Sequence, residues 1–279
     1  MASVHTLRQQ RRVLPGFGLA MGVTLAWLGL IVLIPLAALL AKSLGNGPAF
    51  WWKTLATPRV AAALELSFFS SLAAAAVDMV FGLIIAWVLV RYRFPGRRIV
   101  DALIDLPFAL PTAVAGITLT ALYAGNGWLG RYLEPLGIQI AFTRLGVFVA
   151  LVFVALPFIV RTVQPVLQDL DKEYEEAAAS LGATRWQCFW RVLWPALLPA
   201  LLTGFTLALA RAVGEYGSVI FIAGNLPMVS EIAPLLIAVK LEQYDYVGAA
   251  AIGTSMLLIS FVLLLGLNLL QRWLRKGRL

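Results

Sequence analysis

The apolar positions fall into six long blocks with few or no charges, at residues 17–41, 64–90, 103–124, 145–167, 197–222 and 247–271. A helix needs about 20 such residues to cross the hydrocarbon of a bilayer, where each backbone N–H and C=O must be satisfied within its own segment. The blocks therefore predict six transmembrane helices in one bundle. Arg161 and Pro165 interrupt the end of the fourth. The first follows Arg8, Arg11 and Arg12, as in a secretion signal. It is uncharged for longer than the apolar core of about 7 to 15 residues that such signals carry, and it is read as a retained span.

Composition narrows the class. With 61% hydrophobic and only 13% charged residues and a mean hydropathy of +0.88, the chain is too apolar for a soluble domain, and an all-α integral membrane protein is expected. The net charge of +8 does not point to nucleic acid, because the basic residues are scattered over segment ends and form no single face. They alternate between sides. One side collects Arg8, Arg11, Arg12, Arg91, Arg93, Arg97, Arg98, Lys172, Arg185, Arg191, Arg272, Arg275, Lys276 and Arg278; the other has only Lys42, Lys53, Arg59, Arg131, Arg144 and Lys240. The richer side is expected in the cytoplasm, with both termini inside. Eight tryptophans, all but Trp27, fall at block ends or in connections, as an interfacial aromatic belt would. His5 and Cys188 are the single histidine and cysteine, so neither an internal disulfide nor a His/Cys metal cluster is expected.

The organisation that follows is a cytoplasmic segment 1–16, a transmembrane domain 17–271 and a basic tail 272–279. On the outer side, Ser230 is expected to cap a short helix that carries Glu231 in its first turn and runs to Leu241, where Glu242 and Asp245 end the pattern. Residues 124–137 read as a turn-rich loop. The passage 168–195 is longer than a helical hairpin requires. Within it, residues 173–181 are strong helix formers, and Gly182 can adopt the left-handed conformation that ends a helix. A second helix is predicted from about Thr184, with Trp186, Trp190 and Trp194 on one face. That face suits the lipid interface, with Arg185 and Arg191 in water.

Composition alone describes a pair of interfacial helices that joins two spans. The spacing adds more: Glu176-Ala-Ala, three residues, Gly182, nine residues, then Val192-Leu-Trp-Pro195 resembles the EAA loop of ABC importer permeases, with Trp194 where leucine is usual. Further stretches, RYRFPGRR from Arg91, DLPFALPTAVAGI from Asp105, NGWLG from Asn126 and ARAVGEYGSVIFIAGNLP from Ala210, are similar to the sulfate/thiosulfate branch and in particular to its T-type subunits. The resemblance implies a type I importer permease (MetI-like) fold in a bacterial inner membrane. It also implies partners: a homologous W-type permease, a dimer of ATP-binding subunits and a periplasmic sulfate-binding protein. ATP and magnesium would sit on the ATP-binding partner, since this chain has no G-x-x-x-x-G-K-[ST] phosphate loop; a cofactor of its own is not expected. In that family the EAA helix inserts into a groove of the ATP-binding subunit, which assigns coupling to Glu175, Glu176, Ala177, Ala178, Gly182 and Arg185.

The candidate substrate path rests on charges inside the blocks. Arg211 and Glu215 lie four apart in the fifth, where an ionised side chain costs about 2.5 to 3.5 kcal/mol on insertion scales, so both should face protein or water. They could form a mutual ion pair or line a path. Arg161 is a second cation for that path or a snorkelling side chain. Gly214 and Gly217 permit either a helix break that presents amides to an anion or close helix packing. Asp78 is read as a helix-packing or water-facing group and Glu65 as lying nearer the outer surface. Sulfate needs hydrogen-bond donors. The alternatives are a molybdate or tungstate permease, an ion-coupled secondary transporter using Asp78, Glu215 or Arg211, and an intramembrane enzyme, for which no H-E-x-x-H or G-x-S-x-G motif is present.

Overall fold

Two prolines decide how the third apolar block is built. Pro107 and Pro111 each lack a backbone N–H, and Pro111 drives Leu110 out of the helical region to ψ 135°. In place of one spanning helix the block forms three short ones in series. The computed structural model describes residues 16–276, with side chains up to residue 273. Apart from short helical turns over Gly130–Leu133 and Glu134–Leu136 within the expected loop 124–137, its helices in chain order are α1 (Phe17–Ser43), α2 (Pro48–Leu55), α3 (Pro58–Arg91), α4 (Arg97–Ile104), α5 (Leu106–Ala109), α6 (Thr112–Tyr123), α7 (Arg144–Asp169), α8 (Glu173–Ser180), α9 (Arg185–Val213), α10 (Val219–Ile222), α11 (Ala233–Glu242) and α12 (Tyr246–Lys276). His5, Arg8, Arg11, Arg12 and Arg278 lie outside the described residues.

Among the described residues five helices, α1, α3, α7, α9 and α12, are long and apolar enough to cross a membrane. The sixth expected span is the broken α4–α5–α6 series. Its longest piece, α6, has 12 residues, about 18 Å of helix against a hydrocarbon core of about 30 Å.

The fifth block departs from expectation at both ends. Its helix begins at Arg185, not near Leu197, because the expected second interfacial helix runs into the span without interruption. Pro195 would bring its ring against the carbonyl of residue 191, and a π turn over Phe189–Leu193 widens the helix there. The same device precedes Pro35, where Gly29–Leu33 form a π turn inside α1. At the far end α9 stops at Val213, and residues 214–218 form an irregular connection to α10.

The packed centre consists of α3, α7 and α9. Ile159 of α7 is fully buried and occupies a notch made by two glycines. A Cβ on Gly82 of α3 would lie 2.6 Å from Ile159 Cγ2, and one on Gly204 of α9 would lie 3.1 Å from its Cα. Lipid is as apolar as leucine, so close van der Waals approach across small residues, rather than hydrophobic exclusion, holds such helices together. Ala74, Ala75, Ala150, Ala155 and Ala208 extend this small-residue contact. By contrast, α1 has no buried side chain in its membrane-length window.

The outer helix α11 exists, but Ser230 does not cap it. Ser230 is buried and its Oγ accepts from Leu226 N–H at 3.2 Å. The first amide of α11, Ala233 N–H, is instead taken at 2.8 Å by Ser67 Oγ of α3. Glu231, 3% exposed, accepts both arms of the Arg59 guanidinium at 2.8 and 2.7 Å. A cap supplied from 166 positions away has no local sequence signal.

Candidate functional site

The elbow after α7 is assembled by local rules. Three glutamates, Glu173, Glu175 and Glu176, occupy the first turn of α8, where negative charge suits the helix dipole. At its other end Gly182 takes φ +79°. Gly182 N–H donates to Ala179 O at 2.9 Å and Ala183 N–H to Ala178 O at 3.0 Å, the paired closure of a Schellman motif. The chain turns and restarts at once. Thr184 Oγ1 accepts from Gln187 N–H at 3.3 Å while the Gln187 side chain accepts from Thr184 N–H at 2.9 Å, a capping box that opens α9.

The two faces of α8 differ. Ala178 turns inward and packs with Cys188 and Leu193. Glu175 pairs with Arg91 at the end of α3 at 2.6 Å, and the Arg91 guanidinium lies 5.7 Å from the Trp87 ring centre. Arg91 is a member of this site that the charge pattern marked only as basic. On the other side Tyr174, Ala177 and Leu181, at i, i+3 and i+7, form an exposed stripe beside exposed Glu176. Leu181 is 89% exposed. Trp186, Trp190 and Trp194 do share a face of α9, with ring centres 5.5 and 5.1 Å apart along the row.

The second group of residues lies where α9 ends. Arg211 in its last turn forms an ion pair with Glu215. Glu215 is 2% exposed, and its other oxygen accepts from both the N–H and the hydroxyl of Ser218 at 2.8 Å. The carboxylate is thus held from three directions, while the Arg211 side chain remains 31% exposed. Gly217 abuts the start of α6, where an added Cβ would come 2.1 Å from Thr112 Oγ1. One turn further along α6, a Cβ on Gly116 would meet Ser218 O at 2.4 Å. Gly214 has no such neighbour and ends α9 at φ −87°. Both sequence readings of these glycines have a counterpart: the helix does break at Gly214, and Gly217 does allow close packing.

Arg161 belongs to a different group. Its Nε donates to Asp105 Oδ1 at 2.8 Å, Nη1 to Asp101 Oδ1 and Gln164 Oε1 at 2.7 Å, and Nη2 to Asp101 O at 2.9 Å and Asp105 Oδ2 at 2.6 Å. All the donors of the guanidinium fork are taken, and Arg161 fastens α7 to the junction of α4 and α5. In this conformation it has no free donor for an anion. Asp78 is fully buried in α3, away from water, whereas Glu65 is exposed and lines a cavity of about 270 Å³ with Arg144.

Comparison with known proteins places these features. Residues 78–277 match the family described as "Binding-protein-dependent transport system inner membrane component". The chain is 56% identical over 254 residues to a protein of Synechocystis named "Sulfate transport system permease protein CysT", covering 91% of this chain and 89% of that one. It is 49% identical over 261 residues to the Escherichia coli protein of the same name, covering 94% of each. Among solved structures, a chain of a bacterial alginate ABC transporter in complex with a periplasmic protein superposes with a TM-score of 0.76 at 17% identity, covering 93% of this chain and 94% of that one. At that identity the superposition speaks for the fold.

Proposed function

Since the chain belongs to the family of binding-protein-dependent transport system inner membrane components, we propose that it is one of two permease subunits of an ATP-driven importer for sulfate and thiosulfate. It is a multi-pass membrane transport component, not an enzyme. The observation that carries the reading is α8: a short helix with three glutamates in its first turn and a Schellman closure at Gly182, tied to α3 by Arg91 and Glu175, with an apolar stripe turned away from the protein. We assign the exposed stripe and Glu176 to a groove of an ATP-binding subunit. Because α9 continues unbroken from Arg185 to Val213, a push on the elbow is delivered to the Arg211–Glu215 pair without an intervening loop.

The remaining parts follow from that assignment. The elbow and both termini lie in the cytoplasm, supported by the basic residues gathered at that end. The broken α4–α5–α6 series makes the sixth crossing, fastened to α7 through Arg161. A homologous W-type permease completes the path, and a periplasmic binding protein delivers the anion to the outer loops. Arg211, kept in place by a fixed Glu215 and still partly open, is the residue we assign to the passing dianion; Arg161, with its donors occupied, is assigned to anchoring. A molybdate or tungstate permease would share the elbow, and the named sulfate relatives favour the sulfate reading.

Reconstitution with a second permease, the ATP-binding subunit and the binding protein tests this directly. ATP-dependent uptake of labelled sulfate, competed by thiosulfate and not by molybdate, is the expected outcome. Uptake driven by an ion gradient with this chain alone would refute the reading.

A further inference from the structure

Beside the elbow, on the side away from α8, a cavity of about 750 Å³ opens between the end of α3 and the start of α9. One wall is Leu83, Ile84 and Val88 of α3; the other is Trp186 and Phe189 of α9. The walls are open to the outside: Trp186 is 69% exposed and Ile84 51%. Trp87, Tyr92 and Phe94 add aromatic surface, and two cations, Arg93 and Arg185, also line it, with no carboxylate among the described lining residues. Both are exposed, and neither has a hydrogen-bond or ion-pair partner among the described residues, whereas neighbouring Arg91 is neutralised by Glu175.

An apolar slot at the end of a membrane-length helix, with two free guanidinium groups, has the chemistry of a bound lipid: acyl chain between α3 and α9, headgroup phosphate between the arginines. A neutral apolar helix would match the walls but would leave both cations without a counter-charge. We propose that this cavity holds one anionic phospholipid from the leaflet on the elbow side, so that the base of α9 is braced on α3 through the lipid. Which leaflet that is rests on the cytoplasmic placement proposed above. The presence of the site does not.

The test is lipid retention by the full chain. Protein purified in mild detergent is given equal amounts of dioleoyl phosphatidylglycerol and dioleoyl phosphatidylcholine, and bound lipid is counted by native mass spectrometry. Two basic side chains near an anionic headgroup suffice for roughly thirtyfold preference for the glycerol lipid. Arg93→Gln with Arg185→Gln should abolish that preference, and Ile84→Trp, which fills the slot, should reduce retention of both lipids. Equal retention of the two lipids by wild type would overturn the proposal. So would a preference unchanged in the double arginine variant, undiminished retention in Ile84→Trp, or quantitative cross-linking from Ile84→Cys to a helix of a second permease. No transport is measured, so failure here leaves the importer assignment standing, and failure of uptake leaves this site standing.

Discussion

The chain is interrupted twice by glycine-containing turns next to α9, and the two are built on opposite principles. At the elbow, Gly182 has open space around it, with nothing within 4 Å of an added Cβ, and needs its glycine only for a positive φ. At the far end, Gly217 has an ordinary backbone but no room, because the connection after α9 is pressed onto α6. One turn is self-contained and displayed; the other exists only because the rest of the fold surrounds it. A helix shaped by its own sequence is free to spend its outer face on a partner, whereas the buried turn fixes a charged pair inside the membrane domain.

The largest effect expected from breaking this contrast is at Gly116, which the buried turn requires. Gly116→Val sets new atoms against the backbone carbonyl of Ser218, and neither side can yield by a rotamer change. Overpacking of this kind costs about 3 kcal/mol, and monodisperse protein recovered by size exclusion in detergent should fall several-fold. Normal yield and thermal stability would show that the contact is loose. Glu215→Ala ranks next. Removing one member of a buried pair costs about 3 to 5 kcal/mol, reduced here to about 2 because Arg211 is partly exposed. Unfolding in detergent should register that loss, and Arg211→Ala in the same background should recover part of it.

At the displayed turn the cost is smaller and of another kind. Gly182→Val pays only the left-handed backbone penalty of about 1 to 2 kcal/mol, and Gly182→Asn much less of it. Membrane insertion and yield should stay normal while ATP-driven uptake drops for valine and is largely kept for asparagine. Equal uptake in both variants would show that the elbow geometry is not used.

The smallest effect concerns a third helix entry, at Asp245. There Lys240 Nζ at 2.9 Å and Gly248 N–H at 2.9 Å hold the carboxylate below its ordinary pKa. A depressed carboxylate stabilises the fold above its unfolded pKa, about 3.9, and that contribution is lost as the pH falls through the folded value. The stability gap between wild type and Asp245→Ala, about 0.5 to 1 kcal/mol, should be level above about pH 5 and close below about pH 3. A gap that persists in acid would assign the effect to packing.

The same contrast explains what the sequence made legible. The helix at 173–181, the left-handed Gly182 and the start near Thr184 were readable because their causes lie within a few residues. The cap of α11 was not, since its acceptor is Ser67 on another helix. The third block reads as a span by hydropathy, and the prolines that divide it are visible in the sequence; that its pieces are held to α7 by Arg161 through Asp101 and Asp105 depends on tertiary contacts. The end of α9 at Val213 was half legible: Gly214 and Gly217 permitted a break, but apolar residues continue through Ile222, and the close approach of Thr112 and Gly116 to Gly217 and Ser218 is a tertiary contact.

The central claim is that the outer stripe of α8 seats in an ATP-binding subunit. A photo-cross-linking amino acid at Tyr174, Ala177 or Leu181, in the assembled complex, should give adducts with that subunit, and the same group at inward-facing Ala178 should give none. Adducts absent from all three stripe positions in a complex that still hydrolyses ATP and imports would contradict it.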